Sequence, residues 1–355
     1  MRSAQCRESE TPVPTKINRR RLLGGLTGLT ATSVLSGCSF SSAATREPRT
    51  NVVRYQGSAG EVLHHELAED LGLLGDVRLE WIGNTTSGPQ DIQATVTGDT
   101  DIGGAFNGAI IRLAAAGAPI TAAVGYYGAD AANFGGYYAL DGSPISDPRD
   151  FIDKLVGVNT LGAHYEDVLT IYLESGGLDE DEIDSVQLVV VPPVSAEQAL
   201  RSGQLDVSSL SDVKREKAVA HGGLRSVFSD VEMLGPFTAG CEVLRDEFIE
   251  RNPDTTRQLV EGIAGALHWA QTRPRDEVVA RYTDIIRRRG RNEDLDTVSY
   301  WRSTGVPSPG GLIQEREFTT WLQRLTSSGR VSPGSIDVHQ LYTNEFNPFR
   351  DTAQN

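Results

Sequence analysis

The sequence predicts an α/β protein built as two similar lobes, and three observations carry that expectation. From residue 51 onward, short apolar runs alternate with helix-patterned segments, as in parallel strands joined by crossover helices. One phrase occurs twice, QATVTGDTDIGGA at 93–105 and QALRSGQLDVSSL at 198–210, with Gln, Ala, Gly and Asp at matching offsets. The length, 355 residues, accommodates about two domains.

In the first half the pattern predicts strands at 51–56, 77–82, 101–105 and 120–126, with helices at 60–72, 89–97 and 107–116. The second half repeats the rhythm, with strands at 155–159, 186–191, 206–210 and 224–228 and helices near 164–176, 195–202 and 212–221. The repeated phrase falls at one place in both. A helix closes on Gly98 or Gly203, which tolerate the left-handed conformation, and Asp101 or Asp206 opens the next strand. These two aspartates read as strand-start hydrogen-bonding groups rather than catalytic acids.

The last third differs. Asn252-Pro253 suits a helix start, and Leu259, Val260, Ile263 and Leu267 form one apolar face. Further helices are expected at 275–290, 294–303 and 311–327. They return to the first lobe, so the chain must cross between lobes twice, with 135–144 and 234–243 as the expected crossings. This divides the chain into lobe I, residues 51–138 and 241–348, and lobe II, residues 139–240.

The N-terminus reads as an address. Arg19-Arg20-Arg21 precedes a short apolar run, Leu22 to Leu35, which is too short for a permanent membrane span and fits an export signal over residues 1–37. Arg19-Arg20 followed by Leu22-Leu23 is similar to a twin-arginine signal, with Asn18 where Ser or Thr is usual. LSGC resembles a lipobox, so Cys38 is the expected lipid attachment point and residues 38–50 the tether. Of the three cysteines, Cys6 leaves with the signal and Cys38 carries lipid. Cys241 then stands alone as a structural thiol, with no disulfide or Cys-Cys metal site available.

The net charge of −15 lies in the body, because residues 1–37 are locally basic. Such an acidic surface repels phosphate backbones, which excludes nucleic acid as a partner. Hydrolase and phosphate-loop signatures are missing, and His65-Glu66 lacks the second histidine of a zinc helix. His64 and His65 are adjacent on a helix and cannot share a face, and no cofactor is expected.

Ligands of open α/β sheets bind beyond the carboxyl ends of strands. Glycine-rich polar loops stand at five such ends, 56–61, 83–90, 103–109, 125–130 and 159–167. Their backbone N–H groups and helix N-termini form a binding cleft. No Lys or Arg lies in them, which argues against an arginine clamp. A compact anion held by N–H groups and hydroxyls fits, as does a neutral ring stacked among Phe106, Tyr126, Tyr127 and Tyr137. His164, at a helix start, is the histidine placed at the cleft.

The segments YQGSAGEVLHHELAEDLG, GNTTSGPQDIQATVTGDTDIGGAFNGAI, VGVNTLGAHYEDV, VVVPPVSAEQALRSGQLDV and YTNEFNP resemble the substrate-binding lipoproteins of bacterial ABC importers, in the nitrate/sulfonate/taurine group. The resemblance implies a periplasmic-binding-protein type II fold, two α/β lobes joined by a two-strand hinge with a ligand cleft between them. It implies a monomer, lipid-anchored to the outer face of the cytoplasmic membrane, that delivers a small anionic solute to a permease and its ATPase. By position it assigns ligand contacts to Ser58, Ala59, Thr85, Ser87, Phe106 and Asn107 in the first lobe. In the second it assigns Thr160, Gly162, Ala163 and His164; the aromatic reading adds Tyr126 and Tyr127. The alternatives are a neutral pyrimidine-type heterocycle as solute, or an enzyme using His164 with Glu166 or Asp167 as base. Pyrimidine-making enzymes of this fold carry a cysteine-rich motif that is missing here.

Overall fold

The computed structural model describes residues 49–351. The expected export signal, Cys38 and most of the tether lie outside that range. The chain opens with β1 (Val52–Gly57), α1 (His64–Asp70) and β2 (Arg78–Asn84), and β1 and β2 pair in parallel. Next come α2 (Gly88–Thr97), β3 (Ile102–Phe106), α3 (Asn107–Ala115) and β4 (Ile120–Ala129). Gly98 closes α2 at φ 84°, the left-handed conformation expected from its place in the repeat.

The chain then builds a second sheet. Its elements are β5 (Gly136–Leu140), β6 (Leu155–Val158), α4 (His164–Ser175), α5 (Glu180–Asp184), β7 (Gln187–Val190) and α6 (Pro193–Arg201). These are followed by β8 (Val207–Leu210), α7 (Asp212–Ala220), β9 (Leu224–Ser229) and α8 (Asp230–Leu234). The strand order is β7-β6-β8-β5-β9; β6 runs parallel to β7 and β8, and β5 antiparallel to β8 and β9.

The return strand, β10 (Phe237–Arg245), enters between β3 and β4 and pairs antiparallel with both. Behind it follow α9 (Asp246–Arg251), α10 (Pro253–Thr272), α11 (Arg275–Arg289) and α12 (Arg316–Ser327). Leu259, Val260, Ile263 and Leu267 of α10 are all buried, as their spacing predicts. Leu259, Val260 and Ile263 join Val53, Tyr55 and Leu67 in one apolar cluster, so the C-terminal helices complete the first lobe.

Both expected crossings prove to be strands. Residues 135–144 contain β5 and residues 234–243 most of β10, so the connections shorten to 130–135 and 235–236. The boundaries read from sequence therefore fall inside β5 and β10. The glycines hid these strands, and packing explains one of them. A Cβ on Gly240 would meet the Ala105 carbonyl and the Tyr127 ring, a close approach that outweighs glycine's poor strand propensity. The helix expected at 294–303 is only a 3-10 turn over Leu295–Tyr300. The helix expected at 311–327 begins at Arg316, because Gly310 and Gly311 adopt left-handed φ of 56° and 67°.

The repeated phrase forms one joint in both lobes. The Asp101 N–H donates to the Arg54 carbonyl at 2.8 Å, and the Arg54 N–H donates to Asp101 Oδ2 at 2.9 Å. The Asp206 N–H likewise donates to the Leu155 carbonyl at 2.9 Å, and the Leu155 N–H returns to Asp206 Oδ2 at 2.9 Å. Each aspartate thus ties its own strand to the first strand of a βαβ pair, the structural role expected from sequence.

Candidate ligand-binding site

A cavity of about 120 Å³ lies where the lobes meet. The first lobe supplies residues 60–64 before and into α1, Tyr126 and Tyr127 near the end of β4, Tyr282 of α11, and Val298 with residues 301–304. Asn133 comes from the first connection, and Asp212 with Val213 from the start of α7. A smaller space of about 50 Å³ opens in the second lobe, lined by Asn159, Tyr165, residues 208–211 and Lys214.

The C-terminal end of α11 holds the 60–66 segment in place. Arg289 pairs with Glu66 at 2.7 Å and donates to the Glu61 carbonyl at 2.8 Å, while Glu293 accepts from the Gly60 N–H at 2.7 Å. Tyr55 donates to Glu66 at 2.8 Å from β1. The Glu61 carboxylate is thereby held toward the second lobe, where Lys214 of α7 pairs with it. Burial alone would raise the Glu61 pKa, but Lys214 brings it below the usual value. Asp212 accepts from Asn133 Nδ2 at 2.9 Å, and burial together with nearby Glu61 pushes its pKa up. Asp212 also has φ of 49°, uncommon for a non-glycine residue, a kind of backbone strain that clusters at functional sites.

Further ion pairs close both flanks of the cleft. Lys217 of α7 meets Asp294 at 2.8 Å, and Glu216 meets Arg302 at 2.6 Å. On the other flank, Asp167 of α4 lies 3.5 Å from Arg112 and 3.3 Å from Arg330, and Glu174 pairs with Arg324 at 2.9 Å. These ion pairs join the two lobes on both sides of the cavity.

The two adjacent histidines diverge as expected. His64 lines the cavity, where burial lowers its pKa to about 4 and its Nδ1 has no hydrogen-bond partner. His65 points into the core, with Nδ1 3.2 Å from Glu242 Oε1. Burial there opposes the charged form, yet Glu242 holds the His65 pKa above its usual value. Behind this pair, burial raises Asp91 to about 7 although it accepts from the Gly104 N–H at 2.7 Å. Among the described residues no group of three or more His, Cys, Asp and Glu is arranged to hold a metal ion.

Tyr126 and Tyr127 are the sequence-assigned contacts found in the cavity wall. Phe106 and His164 lie behind it, stacked with ring centroids 5.4 Å apart, and Trp321 meets Phe106 edge-on at 4.6 Å. Asn107 is fully buried and donates to the Thr238 and Glu317 carbonyls at 3.2 and 3.1 Å. Ser58, Ala59, Thr85, Ser87 and Thr160 stand on loops at the strand ends, outside the cavity lining. Gly162 donates its N–H to Glu166 at 2.7 Å, and Ala163, the residue before α4, is buried. Tyr137 is buried in the second sheet, its hydroxyl donating to the Tyr165 carbonyl at 2.7 Å.

His164 Nε2 lies 3.4 Å from Asp230 Oδ2. Burial drives His164 down to about 3 and Asp230 up to about 7. At such a value the imidazole is a weak base at neutral pH, and Glu166 and Asp167 are engaged with Gly162, Arg112 and Arg330 instead.

Sequence pattern alone does not single out Glu61, Asp212, Lys214, Asn133, Tyr282 or Trp301. Glu61 ends one of the five glycine-rich loops, and Asp212 follows a strand end in the second lobe, so strand-end position was the available signal. Tyr282 and Trp301 arrive through the C-terminal return and leave no local trace.

A family model described as NMT1/THI5 like matches residues 78–277, over half the chain. The chain belongs to the NMT1/THI5-like family. Its fold is that of the periplasmic substrate-binding proteins, two of which are among three similar solved structures. The aliphatic sulphonate-binding protein SsuA of Escherichia coli is 19% identical with a TM-score of 0.62, over 82% of this chain and 92% of that one. The nitrate-binding protein NrtA of Synechocystis PCC 6803 is 12% identical with a TM-score of 0.66, over 86% and 89%. The desulfurization enzyme DSZB is 14% identical with a TM-score of 0.57, over 86% and 100%. No curated protein matches the chain by sequence.

Proposed function

We propose that this NMT1/THI5-like protein is an exported solute receptor of an ABC importer. In this reading Cys38 carries a lipid that anchors it to the outer face of the cytoplasmic membrane. It acts as a monomer without cofactor or turnover, closes over one solute and passes it to a permease driven by an ATPase. Lobe I comprises residues 51–129 and 237–348, lobe II residues 136–234, and the connections 130–135 and 235–236 are the hinge. The observation that carries the reading is the cavity itself. Its walls come from both lobes, and ion pairs between lobes close its flanks, so binding and closure are one event.

Of the two solute classes open from sequence, the cleft favours the ring over the compact anion. Tyr126, Tyr127, Tyr282 and Trp301 line it, together with Glu61 and Asp212, and Lys214 is engaged by Glu61. Each aromatic pair adds about 0.5–1.5 kcal/mol beyond area burial, whereas an anion would meet two carboxylates. The sulfonate and nitrate names attached to two structural neighbours belong to those proteins and give the anion reading its weight.

Small-angle scattering combined with calorimetric titration tests the proposal. A solute that binds should lower the radius of gyration and be recovered chemically unchanged. Consumption of the bound solute would sink the receptor reading in favour of an enzyme.

A further inference from the structure

We propose that the cleft selects solutes with a positively charged, N–H-donating head on a small planar body, such as a protonated amine or amidine. The inference rests on the receptor reading of the same cavity and adds the sign of the charge. Three independent features point to it.

The first is the balance of charge. Glu61 and Asp212 approach the cavity from opposite lobes. Lys214, outside the cavity lining, is bound to Glu61, and the cation in the wall, Arg302, turns to Glu216 at 2.6 Å. A ligand cation beside Asp212 would add to Lys214 in opposing the burial and the Glu61 repulsion that raise the Asp212 pKa, because an opposite charge favours the ionised form.

The second is an unfilled hydrogen bond. His64 is only 8% exposed, lines the cavity, and its Nδ1 has no partner. A neutral imidazole nitrogen accepts one N–H, and burial keeps His64 neutral near pH 7. In the tautomer protonated at Nε2, a ligand N–H completes it.

The third is the wall. Tyr126, Tyr127, Tyr282 and Trp301 present π systems, whose faces attract cations. An engineered apolar cavity of about 150 Å³ takes one benzene, so about 120 Å³ suits a solute built on a single small ring.

Benzamidine, benzamide and benzoate share one planar outline and carry cationic, neutral and anionic heads. Calorimetric titration of the intact protein should show benzamidine binding about tenfold tighter than benzamide and about a hundredfold tighter than benzoate. Asp212→Asn keeps a residue that tolerates left-handed φ; it should abolish the benzamidine advantage, bringing benzamidine to the affinity of benzamide. Benzoate binding as tightly as benzamidine, or an unchanged preference in Asp212→Asn, would overturn the inference. If none of the three binds while taurine or nitrate does, the charge assignment falls and the receptor reading stands. If no solute of either sign binds, both fall.

Discussion

Asp101 in the first lobe and Asp206 in the second make the same pair of backbone bonds to the strand beside them, yet their surroundings differ. Asp206 remains exposed. Asp101 is buried, paired with Arg54 at 2.8 Å and with Arg245 Nη2 at 3.0 Å. Arg245, which ends β10, also donates to the Thr95 carbonyl at 2.8 Å and to the Thr100 carbonyl. In the second lobe the motif is a local staple. In the first it has become the socket into which a distant strand plugs. One sequence element can therefore carry different energetic weight according to what a later segment brings to it.

The largest expected effect separates the two aspartates directly. Asp101→Ala removes one member of a buried, doubly paired site and should cost about 3 kcal/mol in urea unfolding. Asp206→Ala removes one charge-assisted bond at the surface and should cost about 1 kcal/mol. Equal losses would break the distinction between staple and socket.

A second expectation concerns acid. Burial alone would raise the Asp101 pKa, but the Arg54 contacts bring it below the usual carboxylate range. A depressed folded-state pKa contributes stability that is present above the unfolded value and lost as pH falls through the folded one. The stability gap between the native chain and Asp101→Asn should therefore be full at pH 6 and shrink below about pH 4. A gap independent of pH would show that packing around Asp101, not its charge, holds the socket.

The smallest effect should be shared. Gly98 and Gly203 both have positive φ, 84° and 73°, so alanine at either should cost about 1 kcal/mol of left-handed strain. A large difference between them would mean that the two helix ends are not equivalent.

Much of this architecture is legible in the sequence. Apolar periodicity located α10 and its buried face, and the repeat located both joints, because both signals are local. The strands β5 and β10 look like hinge segments in sequence, since Gly135-Gly136 and Thr238-Ala-Gly-Cys241 lack the β-branched density of a typical strand. Their pairing is decided by partners far away in the chain. The cleft follows the same rule. Tyr126 and Tyr127 were visible at a strand end, whereas Tyr282 and Trp301 reach the cavity only because the C-terminal helices return.

The position of β10 also dictates an order of assembly. It is the middle strand of its sheet, yet residues 237–245 are made only after the whole of the second lobe. Until they appear, β3 and β4 present unpaired edges to each other and to neighbouring molecules, the condition that invites misassembly. The second lobe, contiguous from β5 to α8, can complete its sheet while the first waits. The first-made strands of this protein must therefore wait for a late segment before their sheet can close, a long-range pairing of the kind that slows folding.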